Sequence, residues 1–149
     1  MLNGNAIRAV AVDAASCPLD TKTPEFGSVN WRTLVSGEAH QSQGLVAGMA
    51  EFGPADTLKP HRHGPPEVYF CTEGSGVVRV DGEDHLLRPG MTLYIPPNAE
   101  HSVVAGPEGL KFFYTFPVTR FDEVDYQFSA LDQGEAVATL IDPTADATS

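Results

Sequence analysis

From residue 29 onward, short apolar runs alternate with turn residues. "VNWRTLV", "GLVAGMAEF", "PEVYFCTEG", "GVVRV", "HLLRPG", "MTLYIPP", "HSVVAG" and "LKFFYTFP" are rich in β-branched or aromatic residues, and Gly, Pro or Asx separates them. No stretch between them carries a 3.6-residue apolar period, so the pattern predicts strands rather than helices. Asp81-Gly82 sits between two such runs and predicts a two-residue hairpin. Many short strands at close spacing predict an all-β chain, a small antiparallel barrel or sandwich. Residues 5–16 read as a short helix or an edge strand. "TRFDEVDYQF" reads as a turn of helix or an irregular return strand. The chain divides into an N-terminal arm over 1–28, a barrel over 29–128 and an acidic C-terminal tail over 129–149.

One run departs from ordinary strand composition. "KPHRHGPPEVYFCTEGSG" holds His61, His63, Glu67, Tyr69 and Cys71 at alternate positions. If Pro60 to Cys71 is extended, these five side chains share one face, and Val68 and Phe70 share the other. Pro65 and Pro66 remove two backbone donors, so the strand lies at an edge or bends there. Two imidazoles and a carboxylate on one face are borderline ligands for a divalent transition metal, and a fourth group must come from another strand. His101, just past the tight "PPNAE" turn, is the best candidate. The bland alternative is two exposed histidines in a Pro-rich loop beside an unrelated Glu.

Composition narrows the classes. The 149 residues fit one domain, and 42% hydrophobic with 19% charged is an ordinary globular balance. The net charge of −11 argues against nucleic acid and anionic membranes as partners, since both call for basic patches. Every charged residue after Arg120 is acidic, which predicts a solvated tail ending in a frayed "DPTADATS". The Ala-rich start lacks a long apolar core and is interrupted by Asp13, so we read no signal peptide and expect the cytoplasm. Cys17 and Cys71 then read as two reduced thiols, with Cys71 in the core.

The two halves of this pattern carry a resemblance. "HRHGPPEVYFCTEG" resembles the first motif of the cupin superfamily, H-x-H-x3-E-x6-G, closing at Gly74. "GMTLYIPPNAEH" resembles the second, G-x5-P-x-G-x2-H, from Gly90 through Pro96 to His101. Asn98 stands where the family usually has Gly, a mild departure because Asn tolerates a left-handed turn. The family's leading Gly before the first His is missing, and Ala105 stands where Asn follows the last His. The resemblance implies a jelly-roll barrel, a double-stranded β-helix, holding one divalent ion (Fe, Mn, Ni, Co or Zn) on His61, His63, Glu67 and His101.

A narrower similarity is to the small cupin-type dimethylsulfoniopropionate lyases. Tyr69, two residues after the Glu ligand, matches them, as do Phe116-Pro117, Arg120-Phe121, Glu123-Val124, Tyr126 and the segment around Trp31. It implies a small-molecule carboxylate substrate, a β-elimination, Tyr69 as the base with Tyr126 next in line, and a homodimer. Read by itself, Tyr69 is better taken as a core aromatic with a backbone-bonded hydroxyl, since tyrosines are common in strands. Tyr126 could cap the barrel mouth or pack outside with Phe121 and Phe128. Trp31 and Tyr114 could surround a sulfonium by cation–π contact, whereas Phe112 and Phe116 read as core. Arg120 reads as a structural partner of the acidic tail ahead of a substrate-carboxylate partner. Two further functions stay open: a cupin dioxygenase or isomerase on the same ligands, and a non-catalytic binding protein whose metal is structural.

Overall fold

The computed structural model describes residues 7–21 and 24–129. The proposed tail beyond 129 lies outside the described residues. Among the described residues nine strands follow in chain order: β1 Asp20–Thr21, β2 Asn30–Val35, β3 Val46–Phe52, β4 Thr57–Arg62, β5 Glu67–Val80, β6 Glu83–Leu87, β7 Thr92–Ile95, β8 His101–Phe116 and β9 Gln127–Phe128. One short helix, α1 Gly37–His40, is capped by the Ser36 side chain, which accepts from the Ala39 amide. The described residues also hold three single 3-10 turns, at Ala14–Ser16, Pro24–Phe26 and Phe121–Glu123.

All pairings are antiparallel, and β5 and β8 run side by side at the centre. β8 serves two neighbours on its other edge, with its first residues pairing β4 and its last pairing β3. β5 likewise pairs β7 near its start and β6 near its end. The sheet therefore curls into two facing halves, with the same two strands running through both. This is the jelly-roll expected from the resemblance. The hairpin at Asp81-Gly82 is also as expected, with both residues at positive φ, 47° and 85°.

Three expectations need correction. Pro60 to Cys71 is not one strand. The chain breaks at Gly64–Pro66, so His61 belongs to β4 and Glu67 to β5. Two prolines in succession cannot sustain a ladder, and the segment turns instead of bending. Second, the four runs expected from 66 to 80 and from 101 to 117 are two long strands. The glycines that looked like breaks are bulges, where the β5–β8 register shifts between Cys71/Glu73 and Gly74/Gly76. Gly74 has φ +71°, and a Cβ there would stand 2.1 Å from the Gly109 carbonyl oxygen, so only glycine lets the two backbones meet. Third, residues 7–13 are neither helix nor strand, and regular structure near them is limited to the Ala14–Ser16 turn. "TRFDEVDYQF" is both of its options in succession, a 3-10 turn and then the short strand β9 on β4.

The core fills the space between the halves. Leu110, Phe112, Tyr114 and Phe116 alternate inward along β8, each no more than 6% exposed. Burying side chains of this size contributes roughly 1.5–3 kcal/mol each. Glu67, Tyr69 and Cys71 point inward from β5 while Phe70 faces out, as the alternation predicts. Gly48 on β3 keeps the wall open, since a Cβ there would lie 2.4 Å from the Tyr114 hydroxyl. Both cysteines are free, and Cys71 is fully buried. No helix among the described residues is long and apolar enough to cross a membrane.

Candidate metal centre

Four side chains converge inside the barrel, and each arrives by a different local device. His61 and His101 stand directly opposite in the β4–β8 ladder, so antiparallel pairing alone brings their rings within 4.2 Å. His63 lies just past β4, and its carbonyl accepts from the Asn98 amide at 2.9 Å. Asn98 has φ 62°, so the residue replacing the family's Gly adopts the left-handed turn. The hairpin tip fastens the same loop: the Glu100 amide donates to the Asp81 carboxylate, and the Asp81 amide to the Glu100 carbonyl. Glu67 opens β5 and faces the three rings.

The imidazoles share one orientation. Nδ1 of His61 meets the Lys59 carbonyl at 2.7 Å, Nδ1 of His63 meets that of Pro65 at 2.9 Å, and Nδ1 of His101 meets that of Ala99 at 2.9 Å. A carbonyl only accepts, so each Nδ1 carries the hydrogen and each Nε2 is left as the metal-facing atom. One nitrogen from each ring lies within 4.8 Å of the others. Oε1 of Glu67 is 3.2 Å from Nε2 of His63 and 3.4 Å from Nε2 of His101. The His101 nitrogen is buried and lacks the alignment of a hydrogen bond with any group. A buried, unpartnered nitrogen aimed at a carboxylate and two more imidazoles fits a cation ligand.

Electrostatics agree with that fit. Burial first, and then the neighbouring His101, press the His61 imidazole down to about 3, so it is neutral as a ligand must be. Burial alone would raise the Glu67 carboxyl, but His101 and His63 beside it outweigh this and hold it at about 2. Glu67 is therefore ionised although it is only 6% exposed.

A cavity of about 600 Å³ opens above the cluster. Its wall is a closed circuit of rings. From His63 it runs to Tyr126 at 5.4 Å, to Phe26 at 5.2 Å and to Trp31 at 5.7 Å. It continues to Tyr114 at 6.2 Å, Phe121 at 6.4 Å and Phe116 at 5.7 Å, then back to His63 at 5.5 Å. Tyr69 lines the same cavity, stacked on Phe112 with centroids 4.0 Å apart. Its hydroxyl makes no hydrogen bond among the described residues, unlike the backbone-bonded core tyrosine considered above. Burial, then the Glu67 charge, raise both the Tyr69 and Tyr126 phenols above their usual range.

Of the residues singled out by sequence, Tyr126 sits at the mouth beside His61 and His63, although it also stacks on Phe128 at 6.5 Å. Phe112 and Phe116 are core and cavity wall at once. Arg120 pairs with Asp122 at 3.0 Å and does not line the cavity. His85 is away from the cluster, on the exposed hairpin near Glu83. Sequence reasoning missed Phe26 and Glu38. Phe26 is in the polar run "TKTPEFGS", with no periodicity to reveal it. Glu38 reaches the site only through contacts more than 80 residues away in sequence.

Comparison with known proteins adds four findings. The cupin domain family matches residues 48–116. The dimethylsulfoniopropionate lyase DddW of Ruegeria pomeroyi is 50% identical over 121 residues, 80% of this chain and 80% of that protein. Among solved structures, the polyketide cyclase RemF from Streptomyces resistomycificus superposes with a TM-score of 0.72 at 20% identity, over 83% of this chain and 87% of that one. A chain from the crystal structures of the DMSP lyases RdDddP and RnDddQII does so with a TM-score of 0.64 at 21% identity, over 76% of this chain and 63% of that one. The last two likenesses speak for the fold. The chain belongs to the cupin family and, within it, to the family of the lyase DddW.

Proposed function

We propose that this chain is a metal-dependent lyase that cleaves dimethylsulfoniopropionate to dimethyl sulfide and acrylate. The observation that carries this reading is the set of three Nε2 atoms and one ionised carboxylate at the floor of an aromatic cavity, in a chain 50% identical to DddW over 80% of its length. His61, His63, Glu67 and His101 would hold one divalent ion of the Fe, Mn, Ni, Co or Zn group. A bound divalent ion would take the substrate carboxylate, draw off the charge that develops as the neighbouring proton leaves, and pull the nearby phenols down toward ionisation.

Tyr69 is the base and Tyr126 its neighbour at the mouth. Both phenols face the cavity, and Tyr69 has no structural hydrogen bond to give up. The phenolate oxygen takes the proton from the carbon next to the carboxylate. That C–H electron pair forms the new C=C bond, and the C–S pair departs with neutral dimethyl sulfide. The leaving group is already cationic before departure, so no general acid is needed. The belt of rings keeps bulk water from the reacting carbon.

A structural metal without catalysis is disfavoured because the cluster opens into a large cavity instead of being closed by protein. The free thiols fit a reducing cytoplasm. A homodimer would cover the outer face of β5 and β7, where Phe70 and Tyr94 are 42% and 60% exposed. The test is headspace dimethyl sulfide from purified protein, stripped with chelator and reconstituted with each metal in turn. Release that appears only on reconstitution supports the reading, and no release with any of the five metals sinks it.

A further inference from the structure

A zwitterionic substrate has two ends, and the side chains of the cavity distinguish them. The floor carries the ligand cluster. The wall above it is aromatic, and ring faces attract cations. Among the described residues no lysine or arginine lines the cavity, whereas Glu38 and Asp122 do, at its rim. These two carboxylates are not equivalent. Asp122 is paired with Arg120 at 3.0 Å. Glu38 has no ion-pair partner among the described residues, and Arg120 feels its charge only from beyond ion-pair distance.

The Glu38 carboxylate is nonetheless fixed in place. It accepts from the Phe121 amide at 3.1 Å and from the Asp122 amide at 3.3 Å. A third bond ties the same two segments, from the Gly37 amide to the Thr119 carbonyl at 2.7 Å. The negative charge on α1 therefore stands beside Phe121, at the exposed rim of the cavity. A flexible surface Glu would lose entropy on meeting a ligand, and this one is already ordered.

We propose that Glu38, a fixed counter-charge beside the aromatic wall of the cavity, is a specificity-determining residue for the substrate's onium group. This rests on the lyase reading of the same site. It makes the cavity selective for onium carboxylates over neutral carboxylates of equal shape. Sulfonium and quaternary ammonium ends bind alike, since both are soft methylated cations.

The chain's one tryptophan, Trp31, lines the cavity, so its fluorescence reports occupancy without any turnover. Two probes separate charge from shape: 3-(trimethylammonio)propionate and 4,4-dimethylpentanoate, which differ by nitrogen against carbon at one centre. Both carry the same carboxylate, so what the floor contributes cancels in their ratio. Wild-type holoprotein should bind the ammonium probe about tenfold more tightly. Glu38→Gln should cut that preference to about threefold and leave the neutral probe within about twofold, a modest change because Glu38 is exposed at the rim. Tyr114→Leu should reduce the preference too. Raising salt from 50 to 500 mM should shrink it in the wild type, which tests the charge even if a variant fails to fold. Equal binding of both probes to the wild type overturns the proposal. A parallel loss of both affinities in Glu38→Gln overturns the specificity role and leaves Glu38 a latch. Absence of dimethyl sulfide with the preference intact sinks the lyase reading alone, and turnover without preference sinks this one alone.

Discussion

His61 and His101 face each other across the β4–β8 ladder with ring centroids 4.2 Å apart, and both turn Nδ1 away to a backbone carbonyl. Two imidazoles held this way present Nε2 lone pairs into the same small volume, which a shared cation relieves. His61→Ala should therefore lower bound metal by more than about tenfold. His85→Ala, on the exposed hairpin, should leave it unchanged. Elemental analysis after identical metal loading decides, and equal content in both variants would remove His61 from the centre.

The pressed-down His61 makes the metal-free protein acid-sensitive in a defined window. In the unfolded chain this imidazole takes up a proton near 6.5, and in the folded chain only near 3. Between those values the unfolded state binds more protons, so stability falls as pH drops from about 6.5. The slope approaches about 1.4 kcal/mol per pH unit. Glu67, shifted from 4.5 down to about 2, contributes stability above 4.5 that is lost as pH falls through 2. Urea unfolding of chelator-treated protein at pH 7, 6 and 5 should show the first loss. Constant stability across that range would contradict a neutral, buried His61.

The close approach at Gly74 predicts a sharp contrast between two glycines. Gly74→Ala places a methyl 2.1 Å from the Gly109 carbonyl at φ +71°, where β5 and β8 must both move. It should cost about 3 kcal/mol or more. Gly82→Ala has φ +85° but open space around it, and should cost only about 1–2 kcal/mol. Melting temperatures of the two variants test the ranking.

The candidate ligands were legible because a period of two marks a strand face even when the strand is misjudged. His61, His63 and Glu67 alternate through a segment that turns at Gly64–Pro66, and the side chains still converge because β4 and β5 face the same interior. Glycine misled the strand count: Gly74 and Gly76 read as ends, but in β5 they are bulges that let one strand serve both halves of the sheet. The cavity's upper rim was not legible. Phe26 packs against Tyr126, one hundred residues later, and Glu38 bonds the Phe121 amide. No local pattern announces contacts that only chain closure creates.

The most direct test of the central claim is dimethyl sulfide release by metal-loaded Tyr69→Phe. Phe keeps the stack on Phe112, and the hydroxyl it lacks has no hydrogen bond to lose, so metal content and melting temperature should match the wild type. What disappears is the proton acceptor, whose removal typically costs about 100- to 10,000-fold. The account predicts a loss of that size, with Tyr126→Phe costing less. Wild-type turnover in a folded, metal-loaded Tyr69→Phe would contradict it and place the base elsewhere.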